Sequence, residues 1–399
     1  MAAHRSPPHL ATLIALTATA VATLNMFLPS LANIARDLGA DYGTVSLAIS
    51  GYLAMTAMVA LVIGPLSDRV GRRPVMLGAL SIFLCASVGC ALAEDVTTFL
   101  TFRMIQSAMA AGNALSVAIV RDTRKADEAA SLIGYISMAM AVAPMLGPML
   151  GGFLDATFGW RAAFWVYAGA GGVLLLVCWR DLGETRGAPR GGARPSPFAL
   201  LGEPLYWAYA LCTMFSLGAF FIFLTGAPLV ALSTFGVEAA ELGVYIGSIT
   251  GGFMAGSFLT GRLARRVPAH TLILSGRLVA FLALSVGLIV LLSGIVSPMA
   301  FFGATIFVGF GNGLTIPNSN TRAVSIRPDL AGTAAGWGAA LSWSGGAVLT
   351  GITGQVLPEE GGAALLLALM LGAVGMGLVM ILWAIRLERR AGAAPSPSV

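Results

Sequence analysis

The chain has 399 residues, of which 57% are apolar and only 10% are charged. A soluble domain carries about 25% charged residues, so this sequence cannot clothe a water-facing surface, and a soluble globular fold is excluded. The net charge of +5 and pI near 9.3 come from basic clusters between apolar runs. Such clusters act as topology signals and lipid-facing anchors, so no nucleic-acid partner is expected.

Apolar runs of about 20 residues are long enough to cross the hydrocarbon layer. Twelve such spans are predicted in chain order, at 10–35, 42–66, 74–93, 97–120, 130–155, 161–180, 204–231, 241–264, 271–293, 297–320, 330–355 and 363–386. Barrel strands alternate apolar and polar residues over about 10 positions; these runs are continuous, so the expected fold is all-α and integral to the membrane. The 50 glycines let membrane helices approach closely and predict a tightly packed bundle. Cys85, Cys90, Cys178 and Cys212 fall inside spans or near their ends and read as small buried hydrophobes. The tail before the first span is short and polar. That span is longer than a signal h-region of about 7–15 residues, so no cleavable signal is expected.

With the N-terminus placed in the cytoplasm, two of the 23 basic residues fall outside, Arg36 and Arg161, and two more, Arg103 and Arg277, lie within spans. All the others fall on the cytoplasmic side, which puts both termini there. The stretch 181–203 contains Gly-Ala-Pro-Arg-Gly-Gly-Ala-Arg-Pro-Ser-Pro and reads as a flexible or extended linker. It separates a six-helix half at 1–180 from a second at 204–390, followed by a cytoplasmic tail at 391–399. Gly64, Leu66, Arg69 and Val70 recur as Gly261, Leu263, Arg266 and Val267 at one constant offset. Gly112-Asn113-Ala114-Leu115-Ser116 is echoed by Gly311-Asn312-Gly313-Leu314-Thr315. Two pseudo-symmetric halves around a central cavity is a transporter design, with access alternating as one half rocks against the other.

Gly64-Pro65-Leu66-Ser67-Asp68-Arg69-Val70-Gly71-Arg72-Arg73 joins the second and third spans. It resembles the Gly-x-Leu-x-Asp-Arg-x-Gly-Arg-Arg/Lys loop of the major facilitator superfamily. Physically, Gly64 permits close packing and Gly71 a tight turn. By resemblance the loop latches the two halves in the outward-facing state, with Asp68, Arg69 and Asp122 as its charge network and Arg72 and Arg73 as its basic end. Arg103-Met104-Ile105-Gln106-Ser107 in the fourth span is similar to the family's Arg-x-x-Gln-Gly motif, with Ser107 where Gly is usual. A charge that deep in a span suggests function, and an inward-facing role is expected for Arg103. Gly147-Pro148-Met149-Leu150-Gly151-Gly152 in the fifth span resembles the motif typical of exporters in this superfamily. Its small residues allow a close helix contact, and Pro148 can kink the span. Gly159-Trp160-Arg161 at the next turn resembles the same exporters. No family motif supports Arg277, for which snorkelling to the cytoplasmic headgroups is expected.

The first span contains Leu24-Asn25-Met26-Phe27-Leu28-Pro29. It resembles the Asp-Met-Tyr-Leu-Pro segment of the Bcr/CflA drug-resistance exporters, which include phenicol exporters. In that group the Asp is a membrane-embedded carboxylate tied to proton or substrate handling. Asn25 stands in its place here and cannot titrate. None of the 18 acidic residues falls at the middle of a predicted span, and the three histidines lie near the cytoplasmic face. Proton coupling is therefore expected to be weak or to use a peripheral acid such as Asp155. A cationic substrate is disfavoured because no buried anion would compensate it, whereas Arg103 and the amides suit a neutral polar or anionic one.

The candidate substrate and coupling residues are Asn25, Arg103, Gln106, Asn113, Tyr135, Asn312 and Asn320, with Asn113 and Asn312 equally suited to pairing across helices. Phe220, Phe221, Phe223, Trp337 and Trp343 are weaker choices that read first as packing. His-Glu-x-x-His, Gly-x-Ser-x-Gly and a nucleotide-binding loop are missing from the sequence, so no enzyme, cofactor or metal site is expected. The expected protein is a monomeric multi-pass transporter of the bacterial inner membrane that exports small organic compounds or drugs. The alternative is a facilitator or importer of a small neutral or anionic metabolite.

Overall fold

The computed structural model describes residues 8–124, 126–185, 197–237, 239–264, 266–358 and 360–393. Among these, the regular structure is helical throughout. The helices are α1 (Leu10–Asn25), α2 (Leu31–Asp37), α3 (Tyr42–Val70), α4 (Arg72–Ala91), α5 (Val96–Ile105), α6 (Ala110–Thr123), α7 (Ala126–Phe158), α8 (Arg161–Asp181), α9 (Pro204–Phe235), α10 (Ala239–Leu263), α11 (Ala269–Leu292), α12 (Pro298–Ser325), α13 (Ala331–Val356) and α14 (Ala363–Ala393). Each predicted span maps onto one helix, except the first and fourth, which are each split in two. Among the described residues, nine spans are long and apolar enough to cross a membrane. The rest of the predicted set corresponds to the divided pair α5 and α6, to α7, and to α13, which is rich in Gly, Ser and Thr.

The splits have local causes. Pro29 has no N–H to donate back to the preceding turn, and the backbone tightens to a 3-10 turn at Leu28–Ser30 between α1 and α2. A second 3-10 turn, Gln106–Met109, separates α5 from α6. α7 runs on through Pro144 and Pro148. Caps fix the helix starts: Asp41 accepts from the Thr44 amide at 2.7 Å, and Asp95 from the Thr98 amide at 2.9 Å.

The chain divides into two compact units. The first comprises 1–191 together with 227–247 and 354–359; the second comprises 192–226, 248–353 and 360–399. In the first unit, small residues bring helices together: a Cβ at Gly89 would lie 2.4 Å from the Phe102 ring, and one at Gly171 2.9 Å from Phe83. In the second, a Cβ at Gly311 would lie 2.2 Å from the Gly276 carbonyl, and one at Gly256 2.1 Å from the Phe310 carbonyl. The last two are the backbone approaches expected of membrane helices. Large apolar side chains face outward along α8 and α11, where Val173, Leu176, Leu282, Val286 and Ile289 are exposed. Arg103 and Arg277 lie fully buried. An apolar exterior around buried cations is the inverse of a soluble domain and suits a lipid solvent.

Candidate functional site

The exporter-like motif of α7 lies against the break in α1. A Cβ at Gly151 would fall 1.5 Å from the Met26 carbonyl oxygen, and one at Gly147 3.4 Å from the Asn25 Cβ. The two glycines are four residues apart, so they share one helix face. Asn25 is buried; its Nδ2 donates to the Val21 carbonyl at 2.7 Å, and its Oδ1 has no partner. Beside it runs an apolar groove of ≈ 610 Å³, whose walls include Ala18, Ala22, Met26, Leu146, Leu150 and Phe153. This unit therefore combines an unsatisfied amide carbonyl, a helix break and an apolar groove. The groove supplies apolar area for a neutral organic molecule, and the buried Asn25 carbonyl lies behind its Met26 and Gly147 wall.

Arg103 is engaged within its own unit. Its Nε donates to the Ala48 carbonyl at 3.3 Å, its Nη2 to the Thr23 carbonyl at 2.9 Å and its Nη1 to Gln106 Oε1. The guanidinium carbon lies 4.0 Å from the centroid of Phe27 and 4.3 Å from that of Tyr52. The two rings and three acceptors replace its hydration. Gln106 Nε2 in turn donates to Ser87 at 2.8 Å. Arg103 and Gln106 thus form an internal strut joining α1, α3, α4 and α5. A substrate anion would have to displace these protein partners, which removes the basis for expecting an anionic substrate at Arg103.

Arg277 corrects the snorkelling expectation. It is fully buried, donating from Nε to Thr315 at 2.9 Å and from Nη2 to Asn312 Oδ1 at 2.6 Å, while Nη1 has no partner. Asn312 Nδ2 donates to the Ser216 carbonyl at 3.0 Å. Both ends of Asn312 are therefore used in holding α9, α11 and α12 together. Asn312 thus pairs across helices, one of its two expected roles, while Asn113 is half-buried. Asn320 is exposed and accepts from Thr213 at 3.3 Å. The side chain of Tyr135 lies outside the described residues.

In the loop between α3 and α4, Arg72 bridges Asp68 and Asp122, at 2.7 Å and 3.1 Å, and it also bonds Ser67. Arg73 donates to the Trp179 carbonyl at 2.8 Å. Gly71 adopts φ +112°, a left-handed conformation that glycine tolerates best. Around Gly64, by contrast, a Cβ would meet nothing within 4 Å, so close packing does not explain that glycine. Sequence reasoning missed Glu184, whose Oε1 accepts from the Arg72 amide at 2.9 Å and caps α4. A Cβ on Gly71 would lie 2.4 Å from its Oε2. The only signal for it was an acid just beyond a span end, opposite a basic loop. At the other side, Arg161 and Trp160 grip Asp37 at 2.5 Å and 3.0 Å, giving the Gly159-Trp160-Arg161 turn a structural role.

The sequence matches the family model of the Major Facilitator Superfamily over residues 10–351. It is 35% identical over 219 residues to a chloramphenicol resistance protein of Pseudomonas aeruginosa, covering 54% of this chain and 52% of that one, so it spans about half that relative's length. It is 32% identical over 300 residues to the multidrug resistance protein MdtL of Escherichia coli, covering 73% of this chain and 75% of that one. Its backbone resembles the inward-facing, occupied crystal structure of a bacterial homologue of the human lysosomal transporter Spinster, with a TM-score of 0.76, 17% identity and 98% of each chain covered. Together with the apolar helices and the loop of α3 and α4, this makes the chain a multi-pass membrane transporter belonging to the major facilitator superfamily.

Proposed function

We propose that this transporter exports small neutral organic compounds of the phenicol type from the cytoplasm by alternating access, with halves 1–180 and 204–390 as the moving parts. The observation that carries this reading is the α7 glycine face seated on the α1 break, with the unpartnered Asn25 carbonyl beside an apolar groove. The chloramphenicol and multidrug resistance relatives support the same direction and substrate class. A neutral substrate is supported by the charge inventory: Asn25 offers a dipole, Arg103 is fully engaged by protein groups, and Arg277 uses two of its three nitrogens on Thr315 and Asn312.

The protein is proposed to act as a monomer in the bacterial inner membrane with both termini cytoplasmic. Asp68, Arg72, Asp122 and Glu184 would hold the cytoplasmic loop in register during the cycle. The test is expression in an efflux-deficient host, with chloramphenicol accumulation followed with and without an uncoupler. Export predicts lower accumulation that the uncoupler restores. Higher accumulation than in the empty host would instead favour an importer and overturn the proposal.

A further inference from the structure

Asn25 leaves the α1 break without a titratable group, yet an acid is buried close by. Asp155 is 8% exposed and is the buried carboxylate among the described residues. It lies four residues beyond Gly151 on α7, on the face that carries Gly147 and Gly151. Gly147 faces Asn25, Gly151 faces the Met26 carbonyl, and Asp155 accepts from Asn33 Nδ2 of α2 at 2.6 Å. The contact stripe of α7 thus ends in a carboxylate immediately past the break. No basic group lies within ion-pair distance of it among the described residues.

α1 and its 3-10 turn carry no titratable side chain. α2 carries Arg36 and Asp37, both exposed, and Asp37 is held by Arg161 of α8. α6 has Arg121 and Asp122 at its other end. α10 approaches α7 through Gly243, whose Cβ would lie 2.5 Å from the Pro148 carbonyl, and brings the exposed Glu241 and the half-buried Tyr245.

We propose that Asp155 is a proton-binding site, releasing its proton when water reaches it during the transport cycle and regaining it when water is excluded. An unpaired carboxylate is costly in a low-dielectric interior and is favoured as the neutral acid there. Water reverses that preference, so protonation and conformation bias each other reciprocally. The Asn33 amide donates to a carboxyl oxygen in either protonation state, so the proton can leave without breaking that bond. The proposal rests on the export reading for its role, but not for its existence.

Two arms test it on the full-length protein. In nanodiscs, infrared difference spectra between acid and alkaline pH should contain a protonated-carboxyl band that disappears in Asp155→Asn and returns in Asp155→Glu. In proteoliposomes with chloramphenicol as the probe, the ratio of pH-gradient-driven accumulation to exchange should collapse in Asp155→Asn and recover in Asp155→Glu. A carboxyl titration identical in wild type and Asp155→Asn overturns the proposal, as does an unchanged ratio. If the wild type moves no chloramphenicol, the phenicol reading fails, and the infrared arm alone decides Asp155.

Discussion

Replacing Gly151 with alanine tests the helix crossing most directly. The new methyl would sit 1.5 Å from the Met26 carbonyl oxygen and 2.6 Å from its carbon, where ordinary contact begins near 3.4 Å. Both opposing atoms are backbone, so no rotamer change relieves the clash, and α7 must move away from α1 by about 2 Å. Overpacking of this kind costs about 1–3 kcal/mol, and a rigid opponent places Gly151→Ala at the upper end. Gly147→Ala is the internal control, because its methyl would meet the Asn25 Cβ at 3.4 Å, close to an ordinary contact. Denaturant titration of the purified protein in detergent, with chloramphenicol susceptibility at matched expression, reads both effects. Gly151→Ala should lose stability and confer little resistance, whereas Gly147→Ala stays near wild type. Equal midpoints for the two variants would refute the claim that this crossing is a backbone-to-backbone contact.

Arg103→Lys should destabilise the first unit by about 1–3 kcal/mol, because a point charge cannot reach the Ala48, Thr23 and Gln106 acceptors together; the same titration checks it. Arg277→Met alone strands the Asn312 carbonyl, whereas adding Asn312→Leu removes both polar partners. The double variant should therefore be more stable than Arg277→Met, and a double-mutant cycle that closes additively would contradict this. Gly71→Ala is opposed both by φ +112° and by Glu184. Removing the second obstacle in Gly71→Ala/Glu184→Ala should not restore transport, because the backbone strain remains. The Thr44 hydroxyl and amide hold the Asp41 carboxyl below the usual carboxylate range, as those of Thr98 hold Asp95. Their capping contribution is present above the unfolded carboxylate value and is lost as pH falls through the folded one. Asp41→Asn should therefore flatten the acid limb of a stability–pH profile.

Much of the fold is legible in the sequence because a bilayer imposes a length and an apolarity on every span. The runs at 161–180 and 363–386 begin at the same residues as α8 and α14, and Pro29 marks where the first run breaks. The loop of α3 and α4 and the glycines of α7 carry the family in their spacing alone. Pairing is where the reading from sequence stops. Arg277 looked like a snorkelling residue because hydropathy measures its depth and says nothing of Asn312, 35 positions away, or of Thr315. Arg72 is one basic residue among several in its loop, and only the place of Asp122 on α6 makes it a bridge between helices. Glu184 reaches the start of α4 across 112 positions, and Asn33 reaches Asp155 across 122. Sequence by itself determined the helices, their membrane setting and the superfamily, since these follow from local length, polarity and motif spacing. Tertiary structure alone decided which buried polar groups are struts and which are open, because that depends on which helix face meets which. It left Asn25 with an unused carbonyl and set Asp155 one face-turn beyond the glycines.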